Sequence, residues 1–474
     1  MATPEARTPE SFPRNTRRAL ADPVLQRALT NIPVGFQEKR AAAIARLPEF
    51  DALTHRAAAI KDHVLANLDL YLELFEAKVR DQGGHVHWCR DAAEARAAVL
   101  SICRQAGAKL VTKGKSMVAE EIALNEHLEA HGITPVETDL GEYIIQLRKE
   151  PPSHIIAPAI HLEAPQIADA FLESHRAYGR TKRLETPREM LDEARAILRQ
   201  KFLGADVGIT GANMLVAQTG AAVVVTNEGN ADLTMALPPV HIVLASIEKI
   251  VPTLDDACTI LRVLARSATG QDITAYTTFV SGPKHRNDLD GPDEFHVILL
   301  DNTRSAMLGS EFRDMLRCIR CAACMNHCPV YGAVGGHAYG WVYPGPMGAV
   351  MTPWLIGIDR AAHLPNASTL CGRCEQVCPM HIPLPRLLRR WREKAWETLT
   401  PSRSTWAVRL WAMLAKRPRL YRAATRMATG ALARLGRGRG AVRWLPFASG
   451  WTEGRDFPAP EGATFHDLWQ RRRR

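Results

Sequence analysis

The sequence predicts a mixed α/β protein. An N-terminal helical region (1–75) precedes an α/β domain (76–302), a small α-helical domain organised by cysteines (303–385) and a basic, Trp-rich helical C-terminal region (386–474). Three observations predict this. Strand-like and helix-like segments alternate through the first half of the chain and beyond, as a parallel sheet with crossover helices requires. Seven of the ten cysteines fall between Cys318 and Cys378. Residues 386–474 hold 21 Lys/Arg against 6 Asp/Glu, so the overall +10 is a mildly acidic body carrying a tail of +15.

In chain order, apolar residues from Asp22 to Leu74 recur at three- and four-residue spacing, which reads as helix. AKLVT then reads as a strand, MVAEEIALNEHLEAHG as a helix closed by Gly132, and ITPVETD as the next strand. The alternation continues through SHIIAPAI, an amphipathic helix from Thr186 to Lys201, VGITGANMLVAQTGAAVVVTNEGN, HIVLASIEKIV, a helix after Leu254 and YTTFVSGP. MLGSEFRDMLR should form a short helix leading into the first cysteine block. In the tail, Arg403 to Leu435 carries an apolar side (Trp406, Leu410, Trp411, Leu414) and is interrupted at Pro418, which predicts two amphipathic helices.

Composition excludes several classes. The two long stretches without charge, Ile209–Asn227 and Pro329–Ile358, are broken by glycines, prolines and polar residues, so neither offers the ~20 apolar residues of a membrane span. The N-terminus, MATPEARTPESFPRNTRR, has charge and proline where a secretory core would lie, so a cytoplasmic location is expected. Clustered cysteines in such a chain indicate a metal site rather than a disulfide scaffold.

The first block, CIRCAACMNHCP, places Cys318, Cys321, Cys324 and Cys328 in the C-x2-C-x2-C-x3-C-P run of bacterial ferredoxins. Three thiolates at this spacing can wrap three corners of one cluster, and the fourth serves a second cluster. The second block, STLCGRCEQVCP, supplies Cys371, Cys374 and Cys378, with Ser368 where a first cysteine would stand. Crossing the ligands gives one 4Fe-4S site to Cys318, Cys321, Cys324 and Cys378, and a second to Cys328, Cys371 and Cys374. The second then holds a 4Fe-4S cluster with an oxygen, histidine or solvent ligand, a 3Fe-4S cluster, or a labile cluster completed by a partner. Clusters of this kind move single electrons over potentials of roughly −700 to +450 mV. GITGANMLVAQTG does not make the glycine fingerprint of a dinucleotide site.

These blocks, with TKGKSMVAEEIALNEHLEAHGITPVETDLGEYIIQL, GITGANMLVAQTGAAVVVTNEGN and CIRCAACMNHCPVYGAVGGHAYGWVYPGPMGAV in the same order, resemble the lactate-utilisation iron–sulfur protein B family over nearly the whole chain. The resemblance implies that the α/β part is a lactate-utilisation (LUD) domain, similar in fold to sugar-phosphate isomerase and CoA-transferase domains. It implies two 4Fe-4S clusters on the seven cysteines named. It also implies electron transfer during L-lactate oxidation, beside a second iron–sulfur subunit and a further LUD-domain protein. A chain whose α/β domain turns over a small anionic metabolite, with structural or regulatory clusters, is the alternative.

Within the α/β domain, Lys113, Lys115 and Ser116 follow a strand and open a helix, where they could hold an anion or substrate. Glu137, Asp139, Gly141 and Glu142, and the run Thr226–Asn230 with Glu228, also follow strands, where α/β folds place ligands. Cys89, Cys103 and Cys258 are isolated and read as ordinary side chains. His85 and His87 would share one strand face. The tail charge, with Trp391, Trp396, Trp406, Trp411, Trp444, Trp451 and Trp469, suits peripheral contact with the anionic inner face of the cell membrane. No recognition module for nucleic acid accompanies it.

Overall fold

The computed structural model describes residues 8–399, 403–445, 449–452 and 454–473. Six parallel strands form the central sheet: β1 His85–Cys89, β2 Leu110–Lys113, β3 Thr134–Glu137, β4 Val207–Gly211, β7 Val240–Ser246 and β10 Glu294–Leu300. Their spatial order is β1-β10-β7-β4-β2-β3. A smaller sheet, ordered β8-β5-β6-β9, contains β5 Met214–Val216, β6 Ala221–Thr226, β8 Ile250–Val251 and β9 Tyr276–Val280. VGITGANMLVAQTGAAVVVTNEGN therefore crosses from one sheet to the other, because the chain leaves β4 at Ala212 and the polar Asn213 turns to bond Val223 and Val225.

The central sheet is buried on both faces, which explains why β7 (VHIVLAS) and β10 (EFHVILL) are near-continuous apolar runs. Helix Ala92–Gln105 and the helices that follow β2 cover one face through Val99, Leu100, Cys103, Ile122 and Leu128. Helix Leu68–Asp81 covers the other with Leu72, Phe75 and Val79, beside Leu215 and Ala222 of the small sheet. The helical prelude thus ends by packing into the α/β layer rather than forming a separate body.

Three local expectations are corrected. MVAEEIALNEHLEAHG forms two short helices, Met117–Glu121 and Leu124–Glu129, because Ala123 turns left-handed between them. MLGSEFRDMLR spans the end of helix Arg304–Leu308 and a 3-10 turn, Arg313–Arg317, with residues 309–312 separating them. SHIIAPAI is irregular, pinned by the buried His154, whose Nδ1 accepts from the Ile156 and Ala157 amides and whose Nε2 bonds Asn326 at 2.8 Å.

Residues 1–397 form one compact unit and residues 398–474 a second. One apolar core in the first unit joins residues of the prelude (Leu29, Phe50, Ala57), the small sheet (Val216, Val223) and the cysteine blocks (Cys321, Cys374). Trp391 belongs to this core, stacked on Phe312 at 4.4 Å and donating to the Val350 carbonyl, so it is not available to a surface. The second unit has helices Arg403–Ala415 and Pro418–Leu435, broken at Pro418, a two-stranded ribbon and helix Phe465–Arg473. Among its described residues Trp406, Trp411, Trp444, Trp451 and Trp469 are exposed. No described helix is long and apolar enough to cross a membrane.

Candidate metal centre

The two cysteine blocks adopt matching backbones. In the first, Arg320 (φ 60°) and Ala322 (φ 61°) turn left-handed before helix Ala323–Asn326. In the second, Leu370 (φ 55°) and Gly372 (φ 84°) do so before helix Arg373–Gln376. This form costs a non-glycine residue roughly 1–2 kcal/mol, so three such residues at matching positions mark loops whose shape is imposed by their surroundings. Pro329 and Pro379 then end each block, and Ser368 takes the register of Cys318.

This pairing brings Cys318, Cys321, Cys324 and Cys378 to the lining of one cavity, with Ile155, Met315, Met325, Met347 and Ile382 around them. Burial pushes the Cys321 thiol up to about 12 and Cys378 up to about 11, and the thiols oppose one another's ionisation. Cys324 is raised further by burial and by Cys318, Cys321 and Cys378. A set of crowded soft donors in an apolar cavity ionises only around a cationic group, which is the chemistry of iron–sulfur or zinc ligation. Cys328, Cys371 and Cys374 form the neighbouring group: Cys328 and Cys374 are raised by burial and by proximity within the trio. Cys371 is exposed and its thiol is lowered by the Arg373 amide. The residues present fit one enclosed thiolate site and one open, three-cysteine site. Ser368 Oγ accepts from the Leu370 amide at 3.1 Å, and Arg392 holds the Ser368 carbonyl at 2.9 Å.

The first site is ringed by cations that sequence reading passed over. Arg40 lies beside Cys321 and Cys378 and donates to the Val377 carbonyl at 3.0 Å. Lys61 and Lys249 are buried near Cys318, and burial lowers each ammonium to about 8. Lys61 donates to the carbonyls of Glu248 and Ile250. Arg320 lies over the Tyr343 ring at 5.1 Å and pairs with Glu248 at 3.3 Å. Behind them Arg304, fully buried, bridges Glu121 (2.7 Å) and Glu248 (2.9 Å), and Glu121 also accepts from Tyr343 and Asn302. The one available signal was Glu248-Lys249 interrupting an apolar strand run, HIVLASIEKIV.

At the α/β end, strand order reverses between β2 and β4, so the crevice beyond their carboxyl ends is the switch point where such sheets bind ligands. Lys113, Lys115, Ser116, Glu137, Asp139 and Glu142 gather around it, with Glu228 approaching from the turn after β6. The expected anion grip is revised there. Lys113 is buried between Glu120 (2.7 Å) and Glu137 (2.6 Å); burial alone would lower its ammonium, and the two carboxylates raise it. Ser116 caps helix Met117–Glu121 by accepting from the Ala119 amide, and Lys115 donates to the Ile156 carbonyl at 2.5 Å. Burial, opposed by Lys115 and reinforced by Asp139, Glu137 and Glu120, holds Glu142 well above the usual carboxylate range. Glu228 is also raised, by burial and then by Asp139. Lys113 therefore serves the protein's own acids, and Lys115 is held by a backbone carbonyl.

His85 and His87 do share a region of β1, yet His87 bonds His296 at 3.1 Å and His296 bonds Glu294, so the rings satisfy one another. Cys89 and Cys103 are buried, their thiols raised by burial to about 11 and about 12, and Cys258 is exposed.

A family model described as LUD domain matches residues 72–300, one described as 4Fe-4S dicluster domain matches 314–382, and one described as lactate utilisation protein B, C-terminal, matches 394–474. The uncharacterized electron transport protein YkgF of Escherichia coli K12 is 41% identical over 463 residues, covering 97% of this chain and 96% of its own. Lactate utilization protein B of Bacillus pumilus is 41% identical, covering 98% of both chains. That of Lysinibacillus sphaericus is 42% identical over 98% of this chain and 97% of its own. A solved structure of a DUF162 family protein from Deinococcus radiodurans aligns with 49% of this chain at 15% identity and TM-score 0.26. With identity near 41% sustained along almost the full length of both partners, the chain belongs to the lactate utilisation protein B family.

Proposed function

We propose that the chain is an iron–sulfur electron-transfer subunit of an L-lactate-oxidising complex, working beside a second iron–sulfur subunit and a further LUD-domain protein. The observation that carries this reading is the crossed grouping of cysteines: Cys318, Cys321, Cys324 and Cys378 around an enclosed cavity, and Cys328, Cys371 and Cys374 beside it. Bound there, two clusters supply one-electron transfer. The chain's residues do the rest. Met315, Met325, Met347 and Ile382 keep water from the enclosed thiolates, and Arg40, Lys61, Lys249 and Arg320 offset their charge. The open site has Cys371 at the surface, where a partner subunit can approach.

The alternative, turnover of a small anionic metabolite at the α/β crevice, has no support in the charge balance there, since Lys113 is neutralised by Glu120 and Glu137. We place the chain in the cytoplasm, with its basic tail against the anionic inner face of the membrane.

Anaerobic purification with iron and sulfide analysis, then addition of L-lactate with the partner proteins, tests the reading. Bleaching of the cluster absorption by lactate in the reconstituted complex is expected. Clusters that stay oxidised in a complex that otherwise consumes lactate would overturn it.

A further inference from the structure

Away from the cysteines, three segments converge on a second set of metal-type donors. Glu150 follows helix Leu140–Arg148, which ends at Lys149 in the left-handed region. His161 stands just before helix Ala164–Ser174. His337 opens a 3-10 turn in the glycine-rich stretch between the cysteine blocks, and its Nε2 donates to the Pro151 carbonyl at 2.7 Å. One ligand atom from each of Glu150, His161 and His337 lies within 4.8 Å of the others.

His337 reaches this place because Gly336 has no side chain: a Cβ there would stand 1.7 Å from the Ser153 carbonyl oxygen. Such a close approach across two regions of the chain is built into the backbone. His161 is nine-tenths buried, its Nε2 donating to Glu150 Oε2 at 2.9 Å, and its Nδ1 is buried with no hydrogen-bond partner. His161 Nε2 and a Glu150 carboxylate oxygen therefore converge on one place, the pair that would share an ion with His337. The group borders a polar cavity of about 190 Å³, lined also by Asn15, Arg18, Asp22, Arg148 and Gln166.

We propose that Glu150, His161 and His337 bind a divalent transition-metal ion of the zinc class, at a site separate from the iron–sulfur cysteines. Two imidazoles and one carboxylate are a recurrent ligand set for such ions when a coordination position stays open, and the cavity supplies room for that position. Soft thiolates are absent from the group, which sets it apart from the cluster sites. Arg148 now holds Glu150 through both carboxylate oxygens, at 2.8 and 3.2 Å, and the ion must share that carboxylate with it. Four lone-pair directions on Glu150 allow this. With Arg148 and Arg18 beside it, the open position favours an anionic ligand, a hydroxide or a small carboxylate, over a neutral one.

The test uses full-length, cluster-loaded protein, prepared anaerobically, incubated with Zn²⁺ alone and then desalted. About one Zn²⁺ per chain should be retained with iron content unchanged, and zinc-edge X-ray absorption should report nitrogen and oxygen neighbours without sulfur. His161→Ala and His337→Ala should each weaken retention by about tenfold or more at unchanged iron. Failure to retain zinc in cluster-loaded protein, sulfur in the zinc shell, or full retention in both variants would overturn the site. If either variant fails to fold, the absorption spectrum of the unaltered protein decides alone. Iron content is read in the same sample, so loss of this site and loss of the cluster reading are told apart.

Discussion

At the scale of single residues, Ser368 sets the difference between the two thiolate groups. It occupies the register of Cys318 while its hydroxyl accepts from the Leu370 amide. The group formed by Cys328, Cys371 and Cys374 is therefore short of one thiolate and is the more exposed of the two. Brief exposure to air should release iron from it first, giving a 3Fe-4S paramagnetic signal of up to about one per chain. Ser368→Cys should suppress that signal; equal oxygen sensitivity of both clusters, or an unaltered signal in the variant, contradicts the assignment. Glu121 is a second decisive residue. Its carboxylate receives Arg304 and Tyr343 in a buried network, with the half-buried Asn302 at its edge. Glu121→Gln leaves Arg304 with half its neutralising charge, and breaking a buried pair of this kind costs about 3–5 kcal/mol. Denaturant unfolding should show a loss of that order; a change under about 1 kcal/mol would mean that Glu248 alone neutralises Arg304.

At the scale of elements, the α/β layer and the cysteine blocks are joined through loops rather than through the sheet. Gly336 rests on Ser153, the Tyr331 hydroxyl donates to the Ser153 carbonyl at 2.9 Å, and His154 bonds Asn326 between Cys324 and Cys328. A side chain at position 336 must push these apart. Gly336→Ala should lower stability by roughly 1–3 kcal/mol, the usual cost of overpacking. Thermal melts with iron quantified at each step check this: cluster loss should begin at lower temperature, and an unchanged profile would show that the loop yields freely. The matched left-handed turns at Arg320, Ala322, Leu370 and Gly372 belong to the same scale. Only Gly372 adopts its turn without steric cost, so the other three depend on the folded surroundings.

At the scale of the whole molecule, the basic tail forms its own unit from residue 398 onward. Its described residues expose Trp406, Trp411, Trp444, Trp451 and Trp469 among arginines, with Arg455 over the Trp451 ring at 3.7 Å. Indoles favour the lipid interface, and each nearby Lys or Arg adds about 1 kcal/mol on an anionic surface. Full-length protein should therefore sediment with anionic vesicles, less so at high salt, and lose binding when residues 401–474 are deleted. Equal recovery in the supernatant with and without anionic vesicles assigns the tail to protein docking instead.

The sequence by itself determined the chemistry of the cysteines, the alternation of the α/β domain and the charge asymmetry of the tail. Each depends on spacing along the chain: two-residue gaps between thiols, period-two and helical periodicities, and a local run of arginines. Pro418 likewise divided the tail helices as its missing amide requires. Tertiary structure alone decided what met across distance. Lys113 looked like an anion grip until Glu120 and Glu137 closed on it, and Trp391 looked like a surface indole until Phe312 and Val350 buried it. Arg40 and Lys61 come from the prelude, Lys249 from beside the small sheet and Arg320 from the first cysteine block, yet all surround one thiolate site. Glu150, His161 and His337 are separated by up to 187 positions and meet only because Gly336 lets two backbones touch. Local periodicity carries no information about such contacts, because they are selected by burial and charge compensation in the folded core.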